Sequence, residues 1–279
     1  MSHIYEALEK AEQERNKQTA KDEEINRLRP SKQVISLPSR QFDVPSFPLF
    51  QTGSLAAEQF RKLRTFLIKK QPLKTIMVTS ALQSEGKTFI SANLAMGIAF
   101  DLQLHALLVD CDLRNPSLGS HFGLAEGKGL SDFLLGRETI PNLLTRTKLD
   151  KLNLIPGGKI PDNPAELIGS KKMENMVEEF KNRYDDRFII LDTTPILATS
   201  EPEILAKVVD GIILVVRAGF TPRETVQQAI NLIGKEKLLG IILNQVEFKS
   251  PGLFKKYFGS NGYYGRYGYG YGYGKKKKK

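Results

Sequence analysis

From Lys74 onward, short continuous apolar runs alternate with stretches of helical period. The runs are TIMVTS (75–80), HALLVD (105–110), LNLIP (ending at Pro156), FIILD (188–192), GIILVV (211–216) and GIILN (240–244). Unbroken Ile/Val/Leu runs, rather than strict alternation, predict strands covered on both faces, and so a mostly parallel, doubly wound sheet between two layers of helices. Between the runs lie helix-start signals. Asn163-Pro164 and Thr221-Pro222 each place an N-cap residue before proline at the first helical position. A helix is also predicted to start at Ser54 and to run through SLAAEQFRKLRTFLIKK, with Leu55, Phe60, Leu63 and Leu67 on its buried side.

Outside this region the pattern thins. Residues 2–27 read as an exposed helical arm whose apolar stripe is only Ile4, Ala7, Leu8 and Ala11. Residues 28–52 carry Pro30, Pro38, Pro45 and Pro48 without an apolar period, as an extended linker does. The predicted organisation is therefore an arm (1–27), a linker (28–52), one α/β domain (53–248) and a tail (249–279).

The tail changes the meaning of the charge. The formal net charge is +10, but nine basic residues and no acid lie between Lys249 and Lys279, so residues 1–248 carry only +1. That distribution argues against a nucleic-acid surface on the domain. Seven of the nine tyrosines, Tyr257, Tyr263, Tyr264, Tyr267, Tyr269, Tyr271 and Tyr273, fall in the same tail, most of them alternating with glycine. Such a segment is predicted to hold no core of its own. The single cysteine, Cys111, allows no intramolecular disulfide, the polar N-terminus does not read as a signal peptide, and no apolar run reaches the length of a membrane span. A cytoplasmic protein, peripheral at most to the inner face of the membrane, is the expectation. The closing run Lys275–Lys279 is either a contact for anionic lipid or a solubilising end.

Candidate chemistry concentrates at the ends of three of the apolar runs. Ala81-Leu82-Gln83-Ser84-Glu85-Gly86-Lys87-Thr88 fits the phosphate-binding loop pattern, after a predicted strand and before the helix FISANLAMGIAF. In such a loop, backbone N–H groups from Ser84 to Phe89 cradle triphosphate oxygens, Lys87 reaches the β and γ oxygens and the Thr88 hydroxyl ligates Mg²⁺. Asp110 and Asp112 close VDCDLRNP and Asp192 closes FIILDTTP. Carboxyl ends of parallel strands open onto one crevice, which collects all three acids beside the loop. Cys111, between two of them, reads as a small packed residue rather than a nucleophile.

Taken together, TSALQSEGKT, LLVDCDLRNP, FIILDTTP, GLSDFLLG (129–136), NPAELIGSKKM (163–173) and the tyrosine-rich terminus resemble the bacterial protein-tyrosine kinases, the BY-kinases of capsule and exopolysaccharide export, over roughly residues 54–274. The resemblance implies ATP and Mg²⁺ as cofactors, Lys87 and Thr88 as their ligands, Asp112 and Asp192 holding the metal and Asp110 taking the phenolic proton. It implies autophosphorylation of the tail tyrosines between subunits, a membrane-embedded activator and a cognate tyrosine phosphatase as partners, and no nucleic acid. Glu58-x-x-Arg61-x-x-Arg64 matches the family's ring-forming element. Three-residue steps place these side chains about 60° apart on one helix face, which equally suits intrahelical ion pairs. Two departures stand out: Gln83-Ser84 where the family commonly has Pro-Gly, and Asp192-Thr193-Thr194-Pro195 where DTPP is common. The rival from another class is a Min- or Par-type partitioning or scaffold ATPase, which shares fold and nucleotide chemistry. Those relatives carry an extra lysine early in the loop, and Ala81 to Glu85 contain none.

Overall fold

Strand β1 (Thr75–Ser80) sits inside a seven-stranded sheet of order β3-β4-β2-β5-β1-β6-β7. The others are β2 (His105–Asp110), β3 (Thr145–Arg146), β4 (Leu152–Ile155), β5 (Arg187–Asp192), β6 (Gly211–Arg217) and β7 (Leu238–Asn244). All neighbours pair in parallel except the two-residue edge strand β3, which is antiparallel to β4 and has no counterpart in the apolar pattern of the sequence. The computed structural model describes residues 54–246 apart from 71, 125, 148 and 184. The predicted arm, linker, tyrosine cluster and lysine run lie outside the described residues.

Side chains of the central strands leave alternately toward two separate cores, because successive residues of a strand face opposite sides. Ile212, Leu214 and Val216 of β6 join Met77, Leu107 and Ile189 on one face. Ile213 and Val215 join Ile76, Val78, Leu108 and Ile190 on the other. Both faces are buried along β1, β2, β4, β5 and β6, which explains their continuous runs; the GIILN run departs from the expectation, because it forms the edge strand β7 and leaves Ile241 and Leu243 exposed.

Helix α1 (Leu55–Ile68) starts where Ser54 predicts it, the Ser54 hydroxyl accepting from the Ala57 N–H at 3.1 Å. Its buried positions are Ala57, Phe60 and Leu67, while Leu55 and Leu63 are only half-buried. Phe60 meets Phe89 edge-on at 6.5 Å and lays α1 against α2 (Lys87–Ala99). Downstream come α3 (Leu118–His121), α4 (Leu130–Leu134), α5 (Ile140–Leu143), α6 (Pro164–Ile168), α7 (Lys171–Arg183), α8 (Glu201–Ala206) and α9 (Arg223–Ile233). Asn163-Pro164 opens α6 as predicted. At α9, in contrast, the cap position is Pro222 and Thr221 lies outside it, because the Thr221 hydroxyl is drawn away to the carboxylate of Glu85.

The chain leaves β1 for β2 on one side and adds β6 and β7 on the other, so the loop after β1 opens at the point where strand order reverses, the place where α/β sheets bind ligands.

Candidate active site

The loop from Ala81 to Gly86 is held in a strained shape by bonds that come from far along the chain. Ser84 has φ 63° and Gly86 has φ 91°, both left-handed. The first is a non-glycine position bearing about 1–2 kcal/mol of steric cost, at the position where the related motif commonly has glycine. A Cβ on Gly86 would lie 2.2 Å from Asn244 Nδ2. That amide donates to the Glu85 carbonyl at 2.8 Å, tying the loop to the end of β7. The Glu85 carboxylate is fully buried. It accepts from the N–H of Leu82 at 2.6 Å, from the N–H of Arg217 at 3.0 Å and from the Thr221 hydroxyl. Its side chain therefore serves the loop's shape.

Strand register then sets the acids. Asp110 pairs with Asp192 across β2 and β5, and Asp192 pairs with Val78 of β1. Helix α2 begins at Lys87 and places Lys87 Nζ 2.8 Å from Asp112 Oδ2, both side chains being largely buried. Burial pulls the pKa of Lys87 down, yet the carboxylates of Asp192, Asp112 and Asp110 outweigh it and hold the ammonium above its ordinary value. Asp192 is pushed up by burial, against the pull of Lys87 and of the Thr88 and Ser91 hydroxyls. Its Oδ1 accepts from Ser91 Oγ at 3.0 Å, and its Oδ2 is buried without a hydrogen-bond partner.

Asp110, expected above as the proton acceptor, is bonded to the backbone through both oxygens. Oδ1 accepts from the N–H of Asp112 at 3.2 Å, and Oδ2 from the N–H groups of Ser117 and Leu118 at 3.1 and 3.0 Å. Burial and the Asp192 charge raise its pKa to about 8, against the backbone N–H of Leu118. With no exposed surface, this carboxyl anchors the 111–118 loop and the start of α3. Asp112 is the more available acid: Oδ1 accepts from the Asn115 N–H at 3.1 Å, and among the described residues Oδ2 is held by the ammonium of Lys87. Burial and the flanking acids keep the Cys111 thiol far above its usual pKa, so it stays a neutral packed group.

These residues suit a magnesium nucleotide. The buried, unpartnered Asp192 oxygen lies on the carboxylate that the Thr88 hydroxyl contacts. Among the described residues no cluster of three or more His, Cys, Asp or Glu side chains forms a closed metal cage. Mg²⁺ asks for no such cage, since it keeps several waters and is bound through one or two carboxylates plus substrate phosphates. A cavity of about 500 Å³ opens elsewhere, between α8 and α9, and none of the crevice residues lines it.

Two groups at the crevice had no signal in the sequence. Arg114 Nε donates to Glu201 Oε1 at 2.7 Å, joining the loop after β2 to the start of α8. The hydroxyl of Thr79 donates to the Thr194 carbonyl at 2.7 Å and steadies the turn beyond Asp192. On α1 the three predicted interface residues do not share one outward face. Glu58 and Arg61 pair with each other at 2.7 Å, and Arg64 turns inward to donate to the Gly97 carbonyl at 3.3 Å. Among the described residues no helix is long and apolar enough to cross a membrane.

A family model described as an AAA domain matches residues 73–241. The tyrosine-protein kinase YwqD of Bacillus subtilis is 38% identical over 196 residues, 68% of this chain and 81% of the relative. The kinase domain of the Escherichia coli tyrosine kinase ETK superposes with a TM-score of 0.69 at 28% identity, over 76% of this chain and 84% of that one. The septum site-determining protein MinD of Pyrococcus horikoshii, complexed with Mg-ADP, shares the fold at a TM-score of 0.52 and 21% identity, over 66% of this chain and 76% of that one. A phosphate loop braced from β6 and β7, a lysine facing three strand-end aspartates, and this extent of likeness lead to one conclusion: the chain is an AAA-domain protein that belongs to the bacterial tyrosine-protein kinases.

Proposed function

We propose that this kinase transfers the γ-phosphoryl group of ATP to tyrosines of its own C-terminal segment, Tyr257 to Tyr273, on a neighbouring copy of the chain. The observation that carries the reading is the trio Lys87, Asp112 and Asp192 around one unpartnered carboxylate oxygen, with a dense supply of phenols attached to the same chain. A partitioning ATPase has the fold in common but no use for seven clustered tyrosines.

The geometry supports the following division of labour. Backbone N–H groups at the start of α2 and in the preceding loop receive the phosphates. Lys87 leaves Asp112 for the β and γ oxygens, where opposite charge is denser. That movement frees Asp112 Oδ2 to accept the phenolic proton, directly or through water, while Asp110 keeps its loop in place. Asp192 and Thr88 hold Mg²⁺, with Asp112 close by. Bound there, the metal neutralises and orients the β- and γ-phosphate oxygens. A phenol of pKa about 10 needs little more than an acceptor and a well-placed phosphoryl group, because this chemistry rests on positioning and charge neutralisation.

Transfer between copies needs neighbours held close. Glu58 and Arg61 supply a contact for a closed ring by exchanging their intrahelical pair for pairs across subunits. An exposed pair is worth only about 0–1 kcal/mol, so the exchange costs little. Phosphorylated tails, at about −1.5 to −2 charges per tyrosine, then loosen the assembly. Capsule or exopolysaccharide export at the inner face of the membrane, with a membrane-embedded activator and an opposing phosphatase, is the proposed setting. Phosphopeptide mass spectrometry after incubation with Mg-ATP tests the core of this reading. Phosphotyrosine between Tyr257 and Tyr273, lost in Lys87→Met, is expected; free phosphate without modified tyrosine, or phosphate on serine and threonine alone, overturns it.

A further inference from the structure

Three carboxylates, Asp110, Asp112 and Asp192, face a single ammonium, Lys87, at the bottom of the crevice. A triphosphate adds more negative charge, and in the transition state of transfer that charge spreads over the γ oxygens. Lys87 and the Mg²⁺ that Asp192 and Thr88 would hold offset part of this charge, and a further fixed cation at the mouth would meet the charge on the outer γ oxygens. Arg114 is placed to be that cation. It follows Asp112 by two residues, a chain distance of at most about 7 Å, and Asp112 is the acid that touches Lys87. The turn is closed by the Asn115 N–H on the Asp112 carbonyl and carboxylate, and Leu113 between them is buried in the core. The loop therefore cannot swing Arg114 away from the crevice without breaking both.

The guanidinium is also aimed. Its Nε is held at 2.7 Å by Glu201, a carboxylate only 1% exposed, while the arginine side chain itself is 50% exposed. Among the described residues its two Nη groups take no hydrogen-bond partner. An arginine gripped at Nε presents its Nη fork, the edge that matches two oxygens of a phosphoryl group. Glu201 is an unusual choice on stability grounds alone, because among the described residues its Oε2 is buried with no partner, and a buried polar atom left unpaired is destabilising. A buried acid kept at that cost to orient a half-exposed arginine at a catalytic mouth points to a role in the reaction.

We propose that Arg114 is a catalytic residue that binds the transferring γ-phosphoryl group, an arginine finger supplied from within the chain, and that Glu201 is its positioning residue. The inference rests on the kinase reading above. In the step it serves, the bond from the γ-phosphorus to the oxygen shared with the β-phosphate breaks as the bond to the phenolic oxygen forms. The phenolic proton passes to Asp112 and ADP leaves. Arg114 contributes no atom; its fork neutralises the charge spread over the γ oxygens midway through transfer.

The experiment compares Mg-ADP alone with Mg-ADP plus aluminium fluoride, a mimic of the transferring group, by calorimetry on the full chain. Wild type is expected to bind the second at least about 10²-fold more tightly. Arg114→Ala should leave the Mg-ADP Kd within about threefold and shrink that ratio by about 10- to 100-fold or more, with kcat falling by about 10³–10⁵. Added guanidinium ion should restore part of the turnover of Arg114→Ala, which it does not do for a residue whose role is only structural. Glu201→Gln should reduce the ratio less. Should the alanine variant melt early, Arg114→Lys, which keeps the charge and loses the fork, carries the same comparison. Equal losses of affinity for both ligands, or an unchanged ratio in a folded variant, overturn the proposal. Because the calorimetric ratio is read without phosphotyrosine, a chain that fails to modify its tail yet shows the Arg114-dependent ratio refutes the kinase reading and not the finger.

Discussion

Replacing Gly86 with alanine strikes the point where the nucleotide loop, β6 and β7 meet. Two costs can be worked from the structure. The backbone at φ 91° is left-handed, which an L side chain occupies at about 1–2 kcal/mol. The new Cβ would also sit 2.2 Å from Asn244 Nδ2, so the amide must move and its 2.8 Å bond to the Glu85 carbonyl is lost, at about 0.5–1.5 kcal/mol. The sum is about 1.5–3.5 kcal/mol, or a fall in Tm of about 3–14 °C for a domain of this size. Urea unfolding without nucleotide measures it, and Mg-ADP calorimetry should show weakened binding as the loop shifts. The decisive comparison is with Asn244→Ala. Alone it should cost about 1 kcal/mol, the lost hydrogen bond. In the double variant Gly86→Ala/Asn244→Ala the clash is absent and the bond is lost once rather than twice, leaving the backbone cost plus one hydrogen bond, so the double should be about 1 kcal/mol less destabilised than the sum of the singles. Strict additivity, or a Gly86→Ala chain that melts within 2 °C of wild type, would falsify the clamp described here.

The aspartates should separate by role. Asp192→Asn should lose Mg²⁺-dependent nucleotide binding, and Asp112→Asn should keep most Mg-ADP affinity while losing transfer. Asp110→Asn should lower Tm, because an amide turns its NH₂ toward one of three backbone N–H donors, at about 1–3 kcal/mol; intact stability in that variant would contradict the anchoring role. Asp210 links the starts of β1 and β6, accepting from the N–H groups of Lys74 and Thr75 and the Thr75 hydroxyl at 2.8–3.0 Å and pairing with Lys181 at 3.0 Å. Burial alone would raise its pKa, but these partners hold it below the ordinary carboxylate value. The unfolded chain therefore binds the proton more readily, so the stability Asp210 adds is complete above the ordinary carboxylate range and is lost as pH falls through its depressed folded value. Asp210→Asn should be less stable at neutral pH and show a shallower loss in acid, read from urea midpoints against pH; a parallel pH profile would count against the assignment. Finally, Glu58→Ala/Arg61→Ala/Arg64→Ala should leave nucleotide affinity unchanged and convert unphosphorylated oligomer to monomer in light scattering, and equal masses would remove the ring contact from α1.

What the sequence by itself determined is whatever depends on near neighbours and on period. Continuous apolar runs announced a sheet buried on both faces. The Ser54 cap and the Asn163-Pro164 start were legible from residues a few positions apart. So were the phosphate loop and the aspartates at the ends of β2 and β5, because parallel strands bring their carboxyl ends to one crevice without further information. Tertiary structure decided the rest, and the reason is distance along the chain. Glu85 meets Asn244, Arg217 and Thr221 across 132 to 159 residues, so nothing local marks that glutamate as the loop's brace or warns that Thr221 will abandon its cap. Arg114 finds Glu201 over 87 residues. Asp110 shows the limit most clearly: its residue type and strand-end position were readable. Whether its oxygens faced substrate or the backbone of Ser117 and Leu118 depended on how the following loop folded back, a choice made by hydrogen-bond satisfaction in a buried site rather than by any pattern in the chain.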